Sequence, residues 1–314
     1  RSFSALVWLK RRRYIASLHS IMEMKSPFRK DAAKDLVVFV TGGGSGIGFG
    51  ICQCFASHGA KIAMMGRRVH KLEEACSALK AMDAKVQALP VQGDVRDPSK
   101  LDKAINVVMS TYGQIDVLVN CAAGNFMCAA EDLLSKGFET VVGIDLQGTF
   151  NVSRACLPAL KKSKRGLIIN ISATLQYKAA PFQIHAAAAK AGIDVVTQTL
   201  GVEWGSEYGI RCVGIAPGPI AGTTGGPTGR VFGNFLKGQD VKDIVPIGRW
   251  GETDDIGLTA LFLATPAGSY INATTIVVDG GQWHDASRMY RMASPFLKAI
   301  AKQRQASKKP KSKL

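Results

Sequence analysis

The first chemical signal is a short glycine-rich run, Thr41-Gly-Gly-Gly-Ser-Gly-Ile-Gly48. Gly42, Gly46 and Gly48 fit a TGxxxGxG spacing, and an apolar run, Leu36-Val-Val-Phe-Val40, stands directly before it. A glycine-rich turn between a buried strand and a helix bares backbone N–H groups at the helix N-terminus, where a pyrophosphate binds. Glycine clusters alone are common; the strand, turn and helix in sequence make this one specific. The candidate phosphate cradle is Gly42, Gly44, Ser45, Gly46, Ile47 and Gly48.

The end of the next strand distinguishes between dinucleotides. An NAD site places Asp or Glu there to hold the ribose 2′-hydroxyl. This chain has Met65-Gly-Arg-Arg68. Two guanidiniums and no carboxylate suit a 2′-phosphate, hence NADP(H). The competing reading of Arg67 and Arg68 is a pair of solvated surface arginines. Asp94 and Val95, after the third strand, fall where an adenine would lie.

The elements that must position these residues follow from the pattern. Apolar β-branched runs predict strands over 36–42, 61–66, 85–95, 115–123, 166–173, 211–215 and 274–280. Helical stretches are expected over 46–58, 69–82, 98–112, 136–161 (one helix or two), 187–203 and 254–264. Strands that are apolar on both faces and alternate with helices imply a parallel sheet covered on each side. The fold class is therefore α/β, a single Rossmann-type doubly wound parallel sheet of about seven strands with helices on both faces. It occupies residues 31–287, between a basic extension (1–30) and a basic tail (288–314).

Charge supports that division. The chain has 314 residues and a formal net charge of +16. Residues 1–30 carry eight Lys/Arg against one Glu, and residues 288–314 carry nine with no acid, so the central body sums to zero. A neutral body with basic ends is not a nucleic-acid-binding surface. Apolar runs such as Val117–Ala130 are shorter than the roughly 18 residues of a bilayer span, so stable membrane insertion is not expected. Seven scattered cysteines form no CxxC pair and no Cys/His cluster, so neither a disulfide framework nor a metal site is expected. Residues 1–21 are basic and acid-free. They read equally as part of a mitochondrial-type targeting segment or as upstream translated sequence before a start at Met22 or Met24.

Thr41–Gly48, Asn120-Cys-Ala-Ala-Gly124, Lys190, Pro217-Gly-Pro-Ile220 and Val278-Asp-Gly-Gly281 together resemble the short-chain dehydrogenase/reductases across residues 35–285. That family catalyses with an Asn, a Ser, and a Tyr four residues before a Lys. Lys190 matches the lysine, but Ala186 stands at the tyrosine position, Ala173 at the serine position (flanked by Ser172 and Thr174) and Asp145 at the asparagine position. Without the phenol, alcohol/ketone chemistry loses its general acid. One branch lacks this tyrosine, the 2,4-dienoyl-CoA reductases. Asn120–Phe126, Asp145, Ile171–Leu175, His185–Lys190 and Ala216–Thr223 are similar to its peroxisomal members. The mitochondrial members use a tyrosine fifteen residues before the lysine, where this chain has Leu175.

The resemblance implies reduction of a fatty 2,4-dienoyl-CoA by NADPH, with hydride to the δ carbon and a proton to the α carbon, leaving a 3-enoyl-CoA. It implies that Asn125 donates to the thioester oxygen, that Lys190 bonds the nicotinamide ribose, and that Asp145 orients a protonating water. By the same resemblance Asn120, Ala122, Pro217, Gly218 and Ile220 complete the cofactor contacts, and Arg67, Arg96, Asn125 and Phe126 touch substrate. Arg96 suits a CoA phosphate or is a solvated cation; Phe126 lines the acyl pocket or belongs to the core. His185 reads as a packed helix residue outside the proton path. A homo-oligomer, dimer or tetramer, follows by family analogy. The terminal Ser312-Lys-Leu314 reads as an address for the peroxisomal import receptor, placing the protein in the peroxisome. The competing functions are a trans-2-enoyl-CoA or carbonyl reductase of the same fold, and a catalytically silent dinucleotide-binding protein.

Overall fold

The computed structural model describes residues 26–284 together with 294, 295 and 299. The terminal tripeptide and residues 1–25 lie outside the described residues. Seven strands form one parallel sheet in the order β3-β2-β1-β4-β5-β6-β7. They are β1 (Val37–Thr41), β2 (Lys61–Gly66), β3 (Ala88–Gln92), β4 (Val117–Asn120), β5 (Leu167–Ile171), β6 (Arg211–Pro217) and β7 (Thr274–Val278). The crossovers run through α1 (Gly46–Ser57), α2 (Val69–Met82), α3 (Pro98–Tyr112), α4 (Ser135–Val142), α5 (Gly148–Lys162), α6 (Ile184–Tyr208) and α7 (Thr253–Ala264).

The period-two alternation of β1 divides the core. Val38 and Val40 pack with Ile51 of α1, Leu72 of α2 and Ile256 of α7. Val37 and Phe39 point the other way, to Leu101 of α3 and Val152 of α5. Each such fully buried side chain contributes roughly 1.5–3 kcal/mol, which is why the strands read as continuous apolar runs. Local signals fix the helix ends. Asp97 accepts from the backbone N–H groups of Ser99 and Lys100 with Pro98 at the first position of α3. Gly209, at φ +68°, ends α6.

Several elements differ in extent from their sequence expectations, β4 among them, which covers only Val117–Asn120 of the expected 115–123. The third strand shrinks to Ala88–Gln92, because Val86 N–H turns back onto the Asp83 carbonyl and Gly93 N–H bonds Gly66 beyond the ladder. α6 is longer than expected at both ends, 25 residues from Ile184 to Tyr208. The helical stretch from 135 to 162 is two helices joined by a π turn, Gly143–Gln147. π turns are rare and gather at functional sites.

Strand register brings Met65, Thr41, Asn120 and Asn170 side by side at the carboxyl end of the sheet. The connections run in opposite directions on the two sides of the β1–β4 neighbours. That switch opens the crevice where open α/β sheets bind ligands.

Candidate active site

The crevice is a cleft of about 1880 Å³. A single drug-sized ligand occupies roughly 300–1,000 Å³, so there is room for two ligands side by side. Gly42, Gly44, Ser45, Gly46, Ile47 and Gly48 line one end. Gly42 has φ +70°, and a Cβ there would lie 3.0 Å from the Cys121 carbonyl oxygen; at Gly48 a Cβ would lie 2.6 Å from the Gly42 carbonyl oxygen. The turn closes only with glycine at both positions, and the bare backbone it leaves at the start of α1 fits a dinucleotide pyrophosphate. Arg67 and Arg68, exposed at the end of β2, line the same cleft, as do Asp94 and Val95 after β3.

Thr41 ties the two central loops together. Its Oγ1 accepts from the N–H groups of Cys121 (3.0 Å) and Ala122 (3.1 Å), so the chain leaving β4 is clamped beside the glycine turn. Ala122 lines the cleft, with Pro217, Gly218 and Ile220 after β6.

The centre of the cleft holds a buried ion pair. The π turn presents Asp145, 1% exposed, and α6 presents Lys190, 8% exposed. Lys190 Nζ lies 3.2 Å from Asp145 Oδ2 and donates at 2.9 Å to the carbonyl of Ile171, the last residue of β5. Asp145 Oδ1 accepts from the Gly124 N–H at 2.8 Å. A buried charge without a partner would cost several kcal/mol; here each of the two is the other's partner. Ala186, one helical turn before Lys190, also lines the cleft. Neither tyrosine nor histidine is among the described residues lining it. Cys121 does line it, but burial pushes its thiol up to about 12, so at neutral pH it is a thiol and not a nucleophile.

Asn125 lines the cleft on the loop after β4. Its Nδ2 donates to Gln183 Oε1 at 2.7 Å, and its buried Oδ1 meets no donor among the described residues. Three other sequence-selected residues fall outside the lining. Asn120 lies beneath it, donating through Nδ2 to Ser153 Oγ (2.9 Å) and Asn170 Oδ1 (2.8 Å). Arg96 turns onto Asp94, Nη2 to Oδ2 at 2.6 Å, and holds that carboxyl down at about 2. Phe126 stacks on His185 with ring centroids 4.4 Å apart. His185 is fully buried, and its Nε2 donates to the Phe126 carbonyl at 3.0 Å.

Sequence reasoning passed over several lining residues. Lys178 and Arg230 add cations to the cleft, and Gln282 reaches it from beyond β7. None belongs to a spaced motif; only the folded chain brings them in. Ser172, at the end of β5, is buried in the lining and accepts from Gln176 Nε2 at 3.1 Å.

Residues 42–282 match the family described as Enoyl-(Acyl carrier protein) reductase. The chain is 46% identical over 268 residues to the peroxisomal 2,4-dienoyl-CoA reductase [(3E)-enoyl-CoA-producing] of Arabidopsis thaliana, covering 83% of this chain and 88% of that one. It is 40% identical over 280 residues to the rat (Rattus norvegicus) protein of the same name, covering 86% and 93%. Among solved structures, a short chain dehydrogenase from Bacillus anthracis superposes with TM-score 0.71 at 43% identity, covering 80% of this chain and 97% of that one.

Proposed function

The chain belongs to the short-chain dehydrogenase/reductase family, and from that premise we propose that it is an NADPH-dependent 2,4-dienoyl-CoA reductase yielding a 3-enoyl-CoA. The observation that carries the reading is the buried Asp145–Lys190 pair in a cleft where Ala186 takes the place of a phenol. A ketone reductase needs an acid at the carbonyl oxygen. A conjugated dienoyl thioester does not, because the charge travels to the thioester oxygen and the proton is taken up at the α carbon. The relatives that are 40–46% identical carry this activity in their names.

The glycine turn and the guanidiniums of Arg67 and Arg68 would hold NADPH, which supplies the hydride. Lys190 supplies positive potential at the centre of the cleft and would bond the nicotinamide ribose. Asn125, with one N–H engaged by Gln183, has its second N–H for the thioester oxygen. Asp145 would orient a water toward the α carbon; paired with Lys190, it positions the acid and is not the acid itself. Location in the peroxisome rests on the relatives' names, with Ser312-Lys-Leu314 as the address.

The test is NADPH oxidation at 340 nm with 2,4-dienoyl-, 2-enoyl- and 3-ketoacyl-CoA side by side. The dienoyl thioester should turn over fastest, with 3-enoyl-CoA as product. Faster turnover of either other substrate refutes the reading. For location, a tagged chain should enter peroxisomes and lose that address when Leu314 is deleted. Mitochondrial staining indifferent to the deletion refutes it.

A further inference from the structure

Gln183, the residue just before α6, is fully buried and makes polar contacts in two directions. Its Nε2 donates to the carbonyls of Phe126 and Phe182, each at 3.1 Å. Both partners are backbone carbonyls, which only accept, so the amide of Gln183 has one permitted orientation. Its Oε1 therefore faces Asn125, and Asn125 must present Nδ2 to it, at 2.7 Å. A side chain with no apparent chemistry thus decides which way a cleft-lining amide points.

The surrounding contacts strengthen the constraint. The Phe126 carbonyl also accepts from His185 Nε2 at 3.0 Å, and the ring of His185 stacks on that of Phe126. One residue earlier than Asn125, the Gly124 N–H is held by Asp145. The loop 124–126 is therefore pinned at one end to the ion pair and at the other to the start of α6. We infer that Gln183 is a positioning residue of the dienoyl-CoA reduction, fixing the Asn125 amide so that its free N–H meets the thioester oxygen. This rests on the functional reading above, since it is that reading which gives Asn125 its acceptor.

Gln183→Met keeps the length of the side chain and removes its three hydrogen bonds. It should lower kcat by about 10- to 100-fold, the usual cost of a misplaced reacting contact, with less than threefold change in KM for the dienoyl-CoA or in Kd for NADPH. Gln183→Glu supplies a second arm. Protonated, Glu can accept from Asn125 and donate to Phe126; ionised, it cannot donate. Its activity, as a ratio to the unmutated enzyme at the same pH, should rise at least fivefold from pH 8 to pH 6. His185, Asp145 and Lys190 are the charged or titratable groups nearest this cluster, and comparison with the unmutated enzyme at each pH removes what they contribute to both proteins alike. Retention of kcat within twofold by Gln183→Met, or a flat ratio for Gln183→Glu, overturns the inference.

Hydrogen exchange of the free protein separates this inference from the functional reading. The Gly124 amide should exchange faster in Gln183→Met than in the unmutated chain, and unchanged protection overturns the clamp. If the unmutated chain reduces no dienoyl-CoA while the exchange still accelerates, the functional reading fails and the clamp stands.

Discussion

Asp145 Oδ2 and Lys190 Nζ stand 3.2 Å apart, and each side chain uses its other contact on a different backbone segment. Asp145 holds Gly124 after β4, and Lys190 holds Ile171 at the end of β5. The pair therefore joins a charge centre to the two strand ends on either side of it. Removing either member disturbs both geometry and potential, so kinetics and stability must be read together.

Asp145→Ala should lower kcat by roughly 10²–10⁴-fold, the range of general acid–base groups, with a smaller change in KM. That split marks an interaction made chiefly in the transition state. Asp145→Asn, which keeps a hydrogen-bonding shape without the charge, should fall between. Stopped-flow rates and melting curves are measured on the same preparations. A lowered Tm with kcat preserved in the folded fraction would assign Asp145 to structure alone.

Cofactor preference tests the exposed pair at the end of β2. NADPH should give at least tenfold higher kcat/KM than NADH, a difference of about 1.4 kcal/mol. Arg67→Asp should erase most of that margin. Equal kcat/KM for the two cofactors in the unmutated enzyme would sink the assignment.

The glycine turn offers a steric prediction. In Gly48→Ala the new Cβ would meet the Gly42 carbonyl oxygen at 2.6 Å, so the turn must open. The Kd for NADPH, read from nucleotide fluorescence, should rise at least tenfold. An unchanged Kd would mean that this turn does not hold the pyrophosphate.

Acid stability follows from Asp94. The hydrogen bond from the Arg96 guanidinium holds its carboxyl down at about 2, against an ordinary value of 3.8. A lowered folded-state pKa gives stability that is present above the unfolded value and lost as pH falls through the folded one. Arg96 is partly exposed, so the contribution is below about 1 kcal/mol. The gap in urea midpoint between the unmutated chain and Arg96→Gln, present at pH 5, should close as pH falls toward 2. A gap that persists at pH 2 would mean Arg96 stabilises by packing.

The order of strands and helices was legible because each strand is a two-faced apolar run with a turn residue behind it, as in Leu36–Gly42. The glycine turn and the arginine pair could be placed on the cleft for the same reason: each is a run local in sequence. Asn120 shows the limit. It ends β4, directly beside cleft-lining residues, yet its amide turns beneath the cleft to Ser153 and Asn170. Neither partner is marked by spacing. Arg96 has a different lesson, since a carboxylate two residues away captures its guanidinium. Gln183 left no sequence signal at all, because its role consists of contacts with residues 57 and 58 positions earlier.

The π turn at Gly143–Gln147 makes the buried Asp145–Lys190 pair sensitive to phase as well as to composition. Each residue of a helix advances the side-chain direction by about 100°. Deleting one residue between Asp145 and α5 would remove the extra residue of the turn, let α4 run into α5 with ordinary winding, and move Asp145 by one helical position, about 100° around the axis. Asp145 sits inside the bulge, so the deletion would swing its carboxylate out of line with Lys190 while leaving both residues in the chain. A copy of this protein carrying such a deletion would keep both side chains in its sequence and still lack the pair.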